Sequence, residues 1–171
     1  ASDGSLSNTQ TLTINLTAAN DTPVLTAPSS VTYTDTSAND TFTNTTGTLS
    51  ASDVDTGATL SYGISSGTNG STTINSITYD VSKAGTYGTL YVKSSDGSYV
   101  YVPNASAINA LSSNTTETFT VSASDGSLSN TQTLTINLTA VNDAPNGTVT
   151  INGIVKQGEI LTVSNNITDA E

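Results

Sequence analysis

Residues 123–140 read ASDGSLSNTQTLTINLTA, and their second half carries Leu, Ile, Leu and Ala at every second position. Such alternation is typical of a half-buried β-strand, because successive side chains of a strand point to opposite faces. The same eighteen letters also occupy residues 1–18. The stretch therefore predicts one strand that is present twice, and it indicates a β protein built from repeated units.

The repeat extends beyond these eighteen residues. Residues 1–21 match residues 123–143 at every position except Ala19, which corresponds to Val141. The copies begin 122 positions apart, whereas solenoid repeats are about 20–50 residues long. The spacing therefore suits independent domains arranged in tandem.

The repeat divides the chain into three parts. Residues 1–22 are expected to be the last strand and linker of a preceding module, and residues 23–145 a complete module. Residues 146–171 do not match the start of the central unit, so we expect the first strands of a different module there. Because the chain begins within a repeat, we expect it to be a piece of a longer protein.

Short alternating runs fill the central unit. The pattern predicts strands at residues 24–33 (split at Pro28), 41–51, 58–64, 71–81, 86–93, 98–102, 117–123 and 131–140. Asp96-Gly97 between two alternating runs is a strong hairpin signal. Residues 104–113 break the pattern and favour a short helical turn capped by Asn104 or Ser106. Strands at this spacing predict an all-β fold, an antiparallel Greek-key β-sandwich.

Apolar residues of these runs supply the expected core. The candidates are Val31, Tyr33, Phe42, Leu49, Leu60, Tyr62, Ile77, Leu90, Val92, Tyr99, Tyr101, Leu111, Phe119, Val121, Leu134, Ile136 and Leu138.

The composition limits the classes of function. Three Lys and Arg stand against fourteen Asp and Glu, for a net charge of −11. Nucleic acid needs a basic footprint, so it is not an expected partner, and no apolar run is long enough for membrane insertion. The absence of Cys and His excludes thiolate chemistry, Ser–His catalysis and the common zinc sites. A divalent cation is the natural counter-charge, because hard cations take carboxylate and carbonyl oxygens.

Acidic residues cluster at predicted strand ends. ASDVDTG places Asp53 and Asp55 one residue apart, and ASDGS places Asp3 and Asp125 before the two copies of the last strand. An Asn-Asp-x-Pro segment follows each copy, at residues 20–23 and 142–145. Asp-Gly and Asn-Asp-x-Pro are also common turn formers. Turn chemistry does not require acids at each end of a domain, however, and a bound cation would relieve the repulsion between close carboxylates.

Several of these motifs resemble those of a known family. LTINLTAVNDAP (134–145) is similar to the last strand and linker of a cadherin repeat, and LSASDVDTGATLSYGI (49–64) to its Ala-x-Asp-x-Asp-x-Gly stretch. Residues 23–145 as a whole resemble the VCBS repeat, a cadherin-like repeat of giant bacterial RTX-type adhesins exported by type I secretion. Residues 146–171 resemble the start of a bacterial Ig-like module.

The resemblance implies calcium (Ca2+) at the joints between modules. The first joint would use Asp3, Asn20, Asp21, Asp53 and Asp55. The second joint would use Asp125, Asn142, Asp143, Asp169 and Glu171.

The chain also departs from the cadherin pattern. The TAAND and TAVND linkers lack the leading acid and the closing Asn, and the Asp-Arg-Glu stretch is missing. Asp35 or Asp40 would replace the first-strand acid, and Glu117 the missing stretch. We therefore expect about one or two calcium ions per joint, fewer than in a cadherin.

The resemblance implies a structural role at the bacterial cell surface or in the extracellular medium. The module would extend a long adhesin and support cell adhesion or biofilm formation, with neighbouring modules of the same chain as partners. One alternative is a filament or matrix protein in which copies of the chain exchange strands, and another is a module that binds a sugar or a protein. An enzyme is not expected, because Asp53 and Asp55 lack the aromatic cleft of a glycosidase.

Overall fold

The computed structural model describes residues 1–2 and 4–169, and β-strands dominate it. Numbered in chain order, the strands are β1 (Val24–Leu25), β2 (Val31–Thr34), β3 (Thr45–Thr48), β4 (Ala51–Ser52), β5 (Ser61–Ile64), β6 (Thr68–Ile74), β7 (Ile77–Ala84), β8 (Gly88–Val92), β9 (Ser98–Pro103), β10 (Thr115–Ser124), β11 (Ser129–Thr139), β12 (Val149–Asn152) and β13 (Thr162–Asn165). One helix, α1 (Ala105–Asn109), lies between β9 and β10.

Two sheets form the central sandwich. The strand orders are β2-β11-β10-β5 and β3-β9-β8-β7-β6, and β1 pairs with β4 in a small extra sheet. Neighbours in these sheets are antiparallel except β2 and β11, which are parallel. The predicted all-β sandwich is therefore confirmed. Its one parallel pair consists of β2 and β11, the last strand of the sandwich.

The core lies between the two sheets. Leu134, Ile136 and Leu138 alternate along β11 and are at most 2% exposed, as the opening stretch predicts. The predicted core residues Phe42, Leu60 and Tyr62 are half-buried. The other candidates, apart from Ile77, are buried: Val31, Tyr33, Leu49, Leu90, Val92, Tyr99, Tyr101, Leu111, Phe119 and Val121.

Ile77 is a wrong core prediction, because it is 41% exposed. The predicted strand 71–81 is in fact two strands, β6 and β7, joined by a tight turn. Asn75 and Ser76 form this turn with φ of 50° and 67°, the left-handed conformation of a short hairpin turn. Ile77 therefore begins a strand at an exposed hairpin tip and does not lie in the middle of a buried strand.

Two other local predictions are confirmed. Asp96-Gly97 connects β8 and β9, where Gly97 has a φ of 75°. Asn104 caps α1, because its Oδ1 accepts a hydrogen bond from the N–H of Ala107 at 3.4 Å. The helix then buries Ile108 completely, which anchors this connection to the core.

The long hairpin of β10 and β11 defines the two ends of the sandwich. β10 leads into the loop at residues 125–128, and β11 returns over eleven residues, a length of about 36 Å. We call the end with residues 53–57 and 125–128 the upper end, and the end with residues 35–40 and 141–145 the lower end. Segments before and after β11 therefore lie at opposite ends.

The flanking segments are more exposed than the sandwich. Residues 8–23 form no strand, and Leu12, Ile14 and Leu16 are 71–90% exposed, although their counterparts in β11 are buried. β12 and β13 pair as a separate antiparallel hairpin whose residues are all exposed.

Candidate metal sites at the two ends of the sandwich

At the upper end, Asp53 and Asp55 follow the short strand β4. The N–H of Asp55 donates to Asp53 Oδ1 at 2.9 Å, and the N–H of Ala58 donates to the carbonyl of Asp55 at 3.2 Å. Gly57, with a φ of 84°, completes the turn in a conformation that favours glycine. One oxygen of Asp53 thus orders the loop, as the turn interpretation of the sequence expects.

Asp125 orders the neighbouring loop in the same way. Its Oδ1 accepts the N–H of Ser127 at 2.6 Å and that of Leu128 at 2.7 Å. The hydrogen bond from Leu128 and the one that Asn20 donates lower the pKa of Asp125, because they favour its ionised form. Asp125 is therefore a carboxylate at neutral pH.

The linker before β1 lies against both loops. Asn20 Nδ2 donates to Asp125 Oδ2 at 2.7 Å, and the N–H of Asp21 donates to Asp55 Oδ2 at 2.7 Å. Residues far apart in the sequence thus form one polar group at the upper end: Asn20, Asp21, Asp53, Asp55 and Asp125.

This grouping corrects the expected position of Asp125. The sequence prediction placed Asp125 at the second joint, with Asn142 and Asp143. Because β11 separates Asp125 from those two residues, they lie at opposite ends of the sandwich. Asp125 therefore belongs to the first joint, beside Asn20.

At the lower end, two aspartates are buried. Asp35 and Asp143 are only 1% and 6% exposed, and the N–H of Val141 donates to Asp35 Oδ2 at 3.4 Å. Burial raises the pKa of Asp35, and the negative charges of Asp143 and Asp40 raise it further. Repulsion between ionised carboxylates in a buried place disfavours their charged forms, and a cation would remove that penalty.

Helix α1 positions the loop that follows Asp35. Asn109 Nδ2 donates to the carbonyl of Asp40 at 3.1 Å, and the N–H of Asp40 donates to Asn109 Oδ1 at 3.2 Å. Asp40 Oδ2 in turn accepts the N–H of Thr36 at 2.6 Å. The only helix in the described part of the chain thus fixes the lower-end loop beside the linker.

The second predicted joint is partly assembled at this end. Asn39, Asp143 and Asp169 line one cavity of about 350 Å³. Asn142 Nδ2 donates to the carbonyl of Asp143 at 2.8 Å. Three of the five residues predicted for this joint therefore lie together, and Asn39 joins them without having been predicted. The predicted ligands Asp3 and Glu171 lie outside the described residues.

Glu117 does not take the role expected of it. Its Oε1 accepts the N–H groups of Thr86 and Tyr87, and its Oε2 accepts the hydroxyl of Tyr101 at 2.9 Å. All of these donors belong to the sandwich, so the side chain holds the turn between β7 and β8 and is not a joint ligand.

The donor groups fit a hard cation. Asp35 Oδ1 and Asp53 Oδ2 are buried oxygens that accept no hydrogen bond, and such atoms are costly unless a partner satisfies them. The surrounding groups are carboxylates, amides and main-chain carbonyls, which calcium prefers. Within residues 1–2 and 4–169, however, no three acidic side chains already converge at metal-binding distances. Binding would therefore require rearrangement of these groups.

The acidic clusters of the sequence did not include Asp35, which the cadherin resemblance had named together with Asp40 as a replacement for the first-strand acid. Val31 and Tyr33 alternate along β2, Asp35 follows in the same alternation directly after the strand, and all three are buried. A carboxylate that continues the inward side of a strand is unusual without a partner, so the alternation favours Asp35 over Asp40.

Comparison with known families agrees with the fold. The model of the bacterial cadherin-like domain matches residues 20–140, and the chain belongs to this family. Domains of the family are typical of extracellular adhesion-type proteins, and cadherin-like domains commonly bind calcium. No curated protein matches the chain significantly. No described helix has the length and apolar character needed to cross a membrane.

Proposed function

We propose that the chain is an extender segment of a long bacterial surface adhesin of the VCBS and RTX type, and that calcium stiffens its joints. In this proposal residues 1–22 end a preceding module, residues 23–145 form the complete module, and residues 146–171 begin an Ig-like module. The role is structural and not catalytic: the array carries a distal binding domain away from the cell, in support of adhesion or biofilm formation.

The observation that carries the proposal is the position of the acids relative to the repeat. The two copies of the Asn-Asp-x-Pro segment lie at opposite ends of the sandwich. Each copy meets acidic residues of the module there, Asp55 and Asp125 at the upper end and Asp35 at the lower end. A cation held at either place would link the linker to the module and so restrict bending at the joint.

The energetics favour a switch that acts after export. Extracellular calcium modules often have dissociation constants of about 10⁻⁴–10⁻³ M, so such sites are empty in a cytosol and filled outside. Filling one site at about ten times its dissociation constant stabilises the folded state by roughly 1.4 kcal/mol. The joints would then stay flexible until the chain leaves the cell.

Small-angle X-ray scattering of the chain with calcium and with a chelator tests the proposal. We expect the maximum dimension to increase with calcium while the circular dichroism spectrum stays that of a β protein. Isothermal titration calorimetry should find saturable calcium binding at millimolar or lower concentrations. An unchanged scattering curve together with no measurable binding would refute the extender proposal.

The exposed N-terminal segment favours a second candidate. Leu12, Ile14 and Leu16 are exposed, yet residues 7–17 have the same sequence as β11. In a filament, this segment would add to the sandwich of a neighbouring copy in place of its own β11. Electron microscopy of the purified chain distinguishes the two, because this second candidate predicts fibres at neutral pH and the extender predicts single particles.

A further inference from the structure

A polar groove lies on the side of the sandwich, and the described residues that line it include none of the predicted joint ligands. It has a volume of about 570 Å³ and runs between β5, at the edge of one sheet, and β6 and β7 of the other. This volume falls within the range of about 300–1,000 Å³ that is usual for small-ligand sites. Neither the calcium joints nor the strand pairing accounts for it.

The groove offers the groups that recognise a sugar. Tyr62 contributes an aromatic ring, Asn69 an amide, and Ser61 and Ser122 hydroxyls. The carboxylate of Asp80 is held in place by hydrogen bonds from the N–H of Ser94, at 2.7 Å, and from its hydroxyl. A carboxylate has about four acceptor positions, so Asp80 retains acceptor capacity for a ligand. Sugars present hydroxyls to such groups and apolar C–H faces to aromatic rings.

The charge of the groove argues for a neutral ligand. Among the described residues that line it, Asp80 is the only one charged at neutral pH, and the whole chain carries −11. Lys93 is close enough to act on the charge of Asp80 but already pairs with Asp96, so the acidic chain would repel an anionic ligand.

The main chain of β5 argues against a peptide strand as the ligand. The N–H of Tyr62 already donates to the carbonyl of Ser94 at 2.9 Å, and the carbonyl of Ile64 accepts the N–H of Gly67 at 2.9 Å. Strand addition needs free main-chain groups along an edge. Because these groups on the groove side of β5 are used, recognition there depends on side chains.

Gly70 lines the groove without being required by the fold. It lies in β6, next to an irregularity in the pairing between Asn69 and Thr72. A Cβ at this position would meet nothing within 4 Å, and the residue does not have a positive φ. Glycine weakens a strand, and its presence there often marks a place where a ligand approaches the backbone closely.

We infer that this groove binds a short segment of a neutral polysaccharide, so that the module itself contacts glycans in addition to its role as an extender. The sugar ring would stack on Tyr62 and its hydroxyls would bond to Asn69 and Asp80. Such a contact would be weak in one module, and successive modules of an array would strengthen it by multivalency.

Nuclear magnetic resonance titration of the ¹⁵N-labelled chain tests the inference. The probes are short neutral oligosaccharides from cellulose, chitin, mannan and starch, with an oligogalacturonate as the anionic comparison. We expect at least one neutral probe to shift the amide signals of Asn69, Gly70 and Ser94 saturably. Because the described lining of the groove includes none of the proposed calcium ligands, saturable shifts should occur in calcium and in chelator alike, whether or not the joints bind calcium.

Two variants and one control make the test specific. Gly70→Ile adds a large side chain to the lining of the groove and Asn69→Ala removes an amide from it, and each should weaken binding by about tenfold, as expected for the loss of a ligand contact. Ser71→Ile adds the same side chain at the adjacent exposed position, which does not line the groove, and should bind like the parent chain. The inference is overturned if no neutral probe binds, if the shifts map elsewhere, if only the anionic probe binds, or if both groove variants bind normally.

Discussion

Asp96 and Asp125 occupy the same local sequence, Ser-Asp-Gly-Ser, in two different hairpins. In each turn the Oδ1 atom of the aspartate accepts the N–H of the serine two residues later, at 3.0 Å for Asp96 and 2.6 Å for Asp125. The second oxygens differ, because Asp96 pairs with Lys93 and Asp125 meets Asn20 of the linker at 2.7 Å. The turn explains why aspartate is present at both places, and the linker contact is specific to Asp125.

This pair provides a matched test of the upper joint. Asp125→Asn keeps an acceptor for the turn but removes the negative charge, so we expect calcium to bind the upper joint about tenfold more weakly. Asp96→Asn makes the same chemical change in the other hairpin and should leave calcium affinity unchanged. Isothermal titration calorimetry measures both. Equal affinities for the two variants would show that Asp125 is only a turn residue.

Asp35 should make the stability of the chain depend on pH when calcium is removed. Burial and the neighbouring Asp143 raise the pKa of Asp35 in the folded chain above its usual value. In the unfolded chain the group ionises at its ordinary pKa, so the folded state binds the proton more tightly. Its ionisation therefore destabilises the fold as the pH rises from about 4, near the usual aspartate pKa, through the raised folded value.

Asp35→Asn should remove this effect. In chelator at neutral pH, urea denaturation should find the variant more stable than the parent chain, and the difference should disappear in acid. The exposed Asp96 is the control, and its effect on stability should change with pH in the opposite direction, because its bond with Lys93 lowers its pKa to about 2. Asp96→Asn should therefore lose stability at neutral pH and not in strong acid. A destabilised Asp35→Asn variant in chelator would mean that the carboxylate is satisfied without a cation.

At the scale of elements, Glu117 connects three strands. It holds the turn between β7 and β8 through Thr86 and Tyr87, and it accepts the hydroxyl of the fully buried Tyr101 on β9. Gly85 and Gly88 make room for this contact, because a Cβ would lie 2.3 Å from Glu117 Oε1 or from Tyr101 Cζ, respectively. The lower half of the five-stranded sheet therefore depends on one carboxylate.

Loss of this carboxylate should destabilise the sandwich. Glu117→Ala leaves three donors without their acceptor, and we expect a decrease of about 2–4 kcal/mol in the free energy of unfolding, since each buried unsatisfied group costs roughly 1–3 kcal/mol. Glu117→Gln keeps one acceptor oxygen and should cost less. Thr118→Ala, at the next and exposed position of β10, should stay within about 0.5 kcal/mol. Urea denaturation in chelator gives all three values, and a neutral Glu117→Ala would contradict this account.

The alternation of apolar residues located most strands, but it did not show where one alternating run contains two strands. The run at 71–81 contains two strands, because its reversal depends on Asn75 and Ser76 in left-handed conformations, and this dipeptide is a weaker signal than Asp96-Gly97. Asp125 was placed at the wrong joint for a related reason. The sequence located it beside the last strand, but only the antiparallel pairing of β10 and β11 determines which end of the sandwich it faces.

At the scale of the whole molecule, the two joints have different chemistry. At the upper end the linker acid Asp21 is exposed, and hydrogen bonds from Asn20 and Asp21 hold the linker against the loops. At the lower end, Asp35 and Asp143 are buried. Because the ends share no ligand and are separated by the length of β11, calcium should order each joint independently.

Limited proteolysis with a protease of broad specificity tests this independence, because exposed segments without strand pairing are cut first. In chelator we expect cuts near residues 18–22 and 141–146, and calcium should suppress both. Asp55→Asn with Asp125→Asn should restore only the first cut in calcium, and Asp35→Asn with Asp143→Asn only the second. Mass spectrometry of the fragments locates the cuts.

Magnesium serves as the ionic control, since its strict octahedral geometry suits these flexible oxygen ligands poorly. If either double variant restores both cuts, the joints are coupled through the sandwich. If magnesium protects as well as calcium does, calcium acts only by screening the charges of a highly acidic chain.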